Sequence, residues 1–215
     1  MFGYAKTQSR DRAPRRLSQG RRYLVSVGPT VSSVEQRRQL LDFARQTARC
    51  ILENATTDPT PVTPQINGRF GGVFVTFWSG RALRGCVGTF APTTDLTATI
   101  AEVTRSSLAD ARFESDPITA AELPDLEIEI SILTDPQPTH DPLSLIPGTH
   151  GIIVRRSGRS GCFLPRIALE RGWSAEQFLS NCCTMKAGLD AEAWGDPQTQ
   201  VLLFTADSFH ESEFA

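Results

Sequence analysis

Lysine is nearly missing from this 215-residue chain, with Lys6 and Lys186 set against twenty arginines. There are only three histidines and five cysteines, Cys50, Cys86, Cys162, Cys182 and Cys183, an odd number without paired spacing. That excludes a disulfide-stapled scaffold and predicts reduced thiols in a cytoplasmic protein. No apolar run approaches the roughly 18 residues a membrane helix needs, so no membrane span is expected. The first residues lack the charged-then-apolar pattern of a signal peptide. Phosphate-loop and dinucleotide fingerprints, internal repeats and low-complexity runs are also absent. No pair of residues shows Cys-x-x-Cys or His-x-x-x-His spacing, so no metal site is predicted.

What remains is ordinary for a globular domain, with 40% hydrophobic and 21% charged residues. Charge is distributed unevenly. Residues 1–30 carry seven basic residues against the single acid Asp11, a net of +6, and the remainder holds 15 basic and 23 acidic residues, a net of −8. A body that acidic is a poor candidate for nucleic-acid binding. The first 30 residues are expected to form a basic, disordered tail, and residues 31–211 the folded domain.

Along the chain, Ser32 and Glu35 form a capping box opening a helix that runs to about Asn54. Val73–Trp78 and Leu83–Phe90 read as the two arms of a hairpin turned at Ser79-Gly80. Thr94 caps a helix from Asp95 to about Ala111, with Leu96, Ile100, Val103 and Ser107 inward. Leu126–Leu133 alternates cleanly, placing Leu126, Ile128, Ile130 and Ile132 on one face and Glu127, Glu129 and Ser131 on the other. A proline-rich loop follows, then a hairpin of Ile152–Arg156 and Gly161–Leu164. Ser174 with Gln177 opens a helix to Ala187, Gln200–Ala206 is a last strand, and the acidic tail after Phe209 frays. About three helices and six strands arriving as antiparallel hairpins predict an α+β fold.

The chemistry concentrates in LRGCVGTF, residues 83–90. Strand alternation puts Arg84, Cys86, Gly88 and Phe90 on one side, with Arg84 and Cys86 about 7 Å apart. Gly88 leaves open space beside the thiol, and a strand glycine marks a bulge or the close approach of a ligand or backbone. Arginine nearby would lower the thiol's pKa and make Cys86 a nucleophile; a buried small hydrophobe is the plain alternative. His150, between glycines at a strand entrance, is the candidate general base, or else a hydrogen-bonded structural residue. Glu127 and Glu129 could pair with Arg84 or orient His150, or face solvent.

LRGCVGTF, ELPDLEIEISILT (122–134), GTHGIIVR (148–155), FLPRIALERGW (163–173) and KAGL (186–189) resemble, in order and spacing, the AMMECR-type domain family. Its prokaryotic members are called AmmeMemoRadiSam system protein A. The resemblance implies an α+β domain with a larger and a smaller lobe and a cleft near the LRGC-type motif. It implies no established activity or cofactor, so whether the chain is an enzyme stays open. It does imply work beside a Memo-like protein and a radical S-adenosylmethionine protein. Against the family pattern, Ala111 replaces a common proline, and Pro165-Arg166 stands where proline-glutamine is frequent. Two readings remain: a Cys86-dependent enzyme or enzyme subunit, and a non-catalytic adaptor or ligand-binding module using the LRGCVGTF surface.

Overall fold

The computed structural model describes residues 31, 33–55 and 68–214. The basic tail, Ser32 of the expected capping box and the first proline-rich loop lie outside the described residues. Among those described, four α-helices and eight strands build two antiparallel sheets, the α+β arrangement expected. The helices are α1 (Val34–Leu52), α2 (Leu96–Leu108), α3 (Arg166–Arg171) and α4 (Ala175–Cys182). The strands are β1 (Gly72–Ser79), β2 (Ala82–Thr89), β3 (Glu127–Leu133), β4 (Gln137–Pro138), β5 (Gly151–Arg156), β6 (Arg159–Phe163), β7 (Gln200–Phe204) and β8 (Ala206–His210).

The first sheet has the order β2-β1-β3-β8. Alternation sends Val73, Val75, Phe77, Ile128, Ile130 and Ile132 to one side, where they meet Leu40, Leu41 and Ala44 of α1 and Ile100 and Val103 of α2. Full burial of each such side chain contributes about 1.5–3 kcal/mol. Ser33 caps α1 by accepting from the Gln36 amide at 3.0 Å, and Asp95 caps α2 by accepting from Ala98. Helix α2 ends at Leu108, short of the expected Ala111, because Asp110 begins a separate 3-10 turn, Ala111–Phe113.

The second sheet, β4-β7-β5-β6, is an insertion between β3 and β8. Its outer face packs Ile152, Val154 and Val201 against Phe178 and Leu179 of α4. The Ser174–Gln177 capping box is formed. The helix it opens changes to one π turn at Cys183–Ala187 and ends at Gly188, whose φ of 63° favours glycine. Helix α3 lies where no helix was expected. The expected final strand is two strands divided at Thr205, one in each sheet. The last residues do not fray either, since Glu211 forms an ion pair with Arg45 and accepts the Ile128 amide at 2.8 Å.

The two lobes meet through a third core of Leu133, Ile153, Leu202 and Phe204, joined by Phe74, Phe90 and Cys162. Phe90 bridges the sheets edge-on, 5.3 Å from Phe74 and 5.4 Å from Phe204.

Candidate functional site

The first sheet turns its second face toward the inserted lobe. Strand register lines up Cys86, Thr76, Glu129 and His210 in one row across β2, β1, β3 and β8. The polar face of β3 is thus the wall of the interlobe seam. Glu129 is 2% exposed. Its Oε2 accepts from Trp78 Nε1 at 3.1 Å and from Arg166 Nη1, and its Oε1 from Ser131. Arg166 comes from the second lobe and lies 4.7 Å over the Trp78 ring. A buried carboxylate is tolerable only with such partners.

Cys86 is half-buried, and its Sγ accepts a hydrogen bond from Thr76 Oγ1 at 3.1 Å. Burial pushes the thiol pKa up, against the lowering pull of Thr76, Arg166 and Arg112, while Glu129 adds to the rise. The thiol is therefore held neutral at physiological pH. Its peptide is clamped at the open edge of β2. Asp110 Oδ2 accepts the Cys86 amide at 3.0 Å, and Arg112 Nη2 donates to the Cys86 carbonyl at 2.8 Å. Burial opposes the Asp110 charge, but the Arg112 guanidinium and the Cys86 amide outweigh it and bring the carboxyl down to about 2.

Arg84 does not join Cys86. Register slips between Phe77, opposite Gly85, and Trp78, opposite Leu83, leaving Arg84 as the extra residue of a bulge. The bulge throws its side chain to Glu122, at 2.6 Å, and Asp116, at 2.8 Å. The charges near the thiol belong instead to Arg166 and Arg112. The space over Gly88 is filled rather than open. A Cβ on Gly88 would stand 2.2 Å from the Phe74 ring, and one on Gly85 would stand 2.3 Å from the Ser107 carbonyl oxygen. Both glycines admit the protein's own atoms.

His150 is not hydrogen-bonded to Cys86. Its Nδ1 accepts the Ile146 amide at 2.9 Å, so the ring proton sits on Nε2, and burial lowers its pKa. It lies just before β5 and is buried. Glu127 serves the carboxyl-terminal end of the chain, accepting the Ser212 amide at 3.1 Å. Of the residues singled out by sequence, Cys86 and Glu129 therefore share the row. Among the described residues no three His, Cys, Asp or Glu side chains are grouped to hold a metal ion.

The family's sequence model matches residues 41–209. The chain belongs to the AMMECR1 family. A Methanothermobacter thermautotrophicus protein is 41% identical over 155 residues, covering 69% of this chain and 79% of its own length. A Thermococcus gammatolerans protein is 37% identical over 184 residues, covering 80% and 88%. The crystal structure of the uncharacterized protein PH0010 from Pyrococcus horikoshii is similar with a TM-score of 0.73 at 33% identity, covering 80% of this chain and 89% of that one.

Five residues of the site escaped sequence reasoning: Thr76, Asp110, Arg112, Trp78 and Arg166. Asp110 and Arg112 read as a helix terminus, and only the turn between them and β2 shows that they hold a strand edge. Arg166 left a trace as an added charge after Pro165, and nothing local assigned it to Glu129.

Proposed function

We propose that this AMMECR1-family chain is a ligand-binding or adaptor module whose interlobe face, centred on Cys86, Thr76 and Glu129, is its recognition surface. The observation that carries this reading is the state of the thiol. Cys86 is desolvated, hydrogen-bonded to Thr76 and without a base, whereas a nucleophilic cysteine needs an accessible thiolate. The module works beside the Memo-like and radical S-adenosylmethionine proteins that the family resemblance implies. Five thiols, all free of disulfides, support a reducing cytoplasm as its location. No helix among the described residues is long and apolar enough to cross a membrane.

The second reading, a cysteine-dependent enzyme subunit, is favoured by the proximity of Arg166 and Arg112 to Cys86. Alkylation of Cys86 by iodoacetamide across pH separates the two. The binding reading expects an apparent pKa above that of a free thiol, about 8.5, and retained co-purification of both partner proteins with Cys86→Ala. A midpoint well below 8.5, with loss of product formation by the three-protein mixture in Cys86→Ala, would replace it with the enzyme.

A further inference from the structure

Strand β8 is an outermost strand of the first sheet, and among the described residues β3 is its one neighbour. The Thr134 amide bonds the Thr205 carbonyl, which fixes the alternation: Asp207 and Phe209 turn their backbone groups to β3. Ser208 and His210 turn theirs outward. The His210 amide is found there, on Glu213 Oε1 at 3.3 Å. Ser208 is exposed, and its outward amide and carbonyl have no hydrogen-bond partner among the described residues. Glu127 and Glu213 flank the His210 end of this edge. Pairing β8 with a second copy of itself about Ser208 would set those acids toward Asp207 of that copy, like charge against like. The edge fits a basic strand instead.

The chain supplies one at this place. Arg37 donates from Nε to the Val31 carbonyl at 2.8 Å and from Nη2 to Asp207 at 2.9 Å, so Val31 sits beside the Asp207 end of β8. Helix α1 leaves from there in the direction of β8, with Arg45 further along on Glu211. A segment that leads into α1 through a turn must therefore run antiparallel to β8. Residues 21–30 read RRYLVSVGPT. Tyr23–Val27 matches β8 in length and is rich in β-prone side chains, and Gly28-Pro29 is a turn pair. We propose that Tyr23–Val27 adds to the open edge of β8 as a fifth, antiparallel strand, with Ser26 opposite Ser208. The two serines then exchange the outward amide and carbonyl bonds, extending the row in which the Ser131 and Ser208 hydroxyls meet at 2.7 Å. Tyr23, Val25 and Val27 fall on the face of Phe209, toward α1 and its exposed Val34. Arg21 and Arg22 precede the strand at the His210 end, in reach of Glu213 and Glu127. Covering this edge removes a template for pairing between chains.

The proposal is independent of whether the seam binds a ligand. It is tested by residue-resolved amide exchange, measured by NMR on the full-length chain. The Ser26 and Ser208 amides are expected to exchange at least about tenfold more slowly than those of an unstructured chain. Ser26→Pro deletes one of the two donors and is expected to return Ser208 to fast exchange while β1 stays protected. Arg21→Glu with Arg22→Glu is expected to speed Ser208 exchange in the same direction, and less so at high salt. Unprotected Ser208 in the wild-type chain, or protection that survives Ser26→Pro, would overturn the proposal. Protection that rises with protein concentration, together with a dimer by light scattering, would give the edge to a second copy and overturn it as well.

Discussion

Arg166 reaches from the second lobe to Glu129 in the first, and there it is the counter-charge of the most deeply buried carboxylate in the seam. Removing the guanidinium strands a desolvated charge, which costs more than the pair itself contributes. Arg166→Met is therefore expected to lower unfolding free energy by about 3 kcal/mol. Glu129→Gln in the same background is expected to restore more than half of it. Urea titration of the four proteins gives the cycle, and simple additivity would show that the pair is not coupled.

The Asp110 clamp on Cys86 makes a pH prediction. Its folded carboxyl titrates at about 2, below the usual 3.8, so the stabilisation is complete above pH 4 and disappears as pH falls through 2. A shift of this size corresponds to at most about 2.4 kcal/mol, reduced because Arg112 is half exposed. Asp110→Asn should flatten the fall in urea midpoint between pH 4 and pH 2. A parallel fall in wild type and variant would remove Asp110 from the account.

His150 gives the opposite end of the acid range. Its folded pKa is lowered, so its neutral form contributes stability above the unfolded value of about 6.5 that is lost as pH falls below it. Protonation at Nδ1 also deprives the Ile146 amide of its acceptor. His150→Asn, less stable at pH 7.5, should show a weaker decline from pH 7 to pH 5 than wild type. Thermal midpoints across that range test it, and an unchanged slope would contradict it.

Gly88→Ala places a methyl in the Phe74 ring. The expected cost is about 1–3 kcal/mol of overpacking, relieved in part by Phe74→Leu. Chemical denaturation of both variants decides, and no gain from the second substitution would mean that the methyl is accommodated elsewhere.

The fold class, the buried faces of α1, α2 and β3, and the Ser174 cap were legible because each depends on local period or capping chemistry. Cys86 and Glu129 were legible as candidates, and their shared row was not. That row is set by pairing between strands separated in sequence, and parity within β2 fails at the Arg84 bulge. Arg84 and His150 misled for different reasons: Glu122 lies 38 residues from Arg84 in the chain, whereas the partner of His150 is the Ile146 amide only four residues back, in a turn that closes the proline-rich loop. The second strand after Thr205 could not be read because Ala206–His210 holds Ala, Asp and Ser, which are not β-prone, and only pairing with β3 makes it a strand.

The crossings between lobes coincide at Thr134 and Thr205, where the Thr134 amide donates to the Thr205 carbonyl at 3.0 Å and the Thr205 amide donates to Thr134 Oγ1 at 2.9 Å. Because the chain leaves the first sheet at one threonine and re-enters at the other, β8 is the last strand to emerge during synthesis. On the ribosome, three strands of the first sheet wait with an unpaired β3 edge while the entire second lobe is made. The order of translation is thus the reverse of a bead-by-bead assembly: the inserted lobe closes first, and its closure delivers the strand and the Glu211 carboxylate that finish the lobe begun before it.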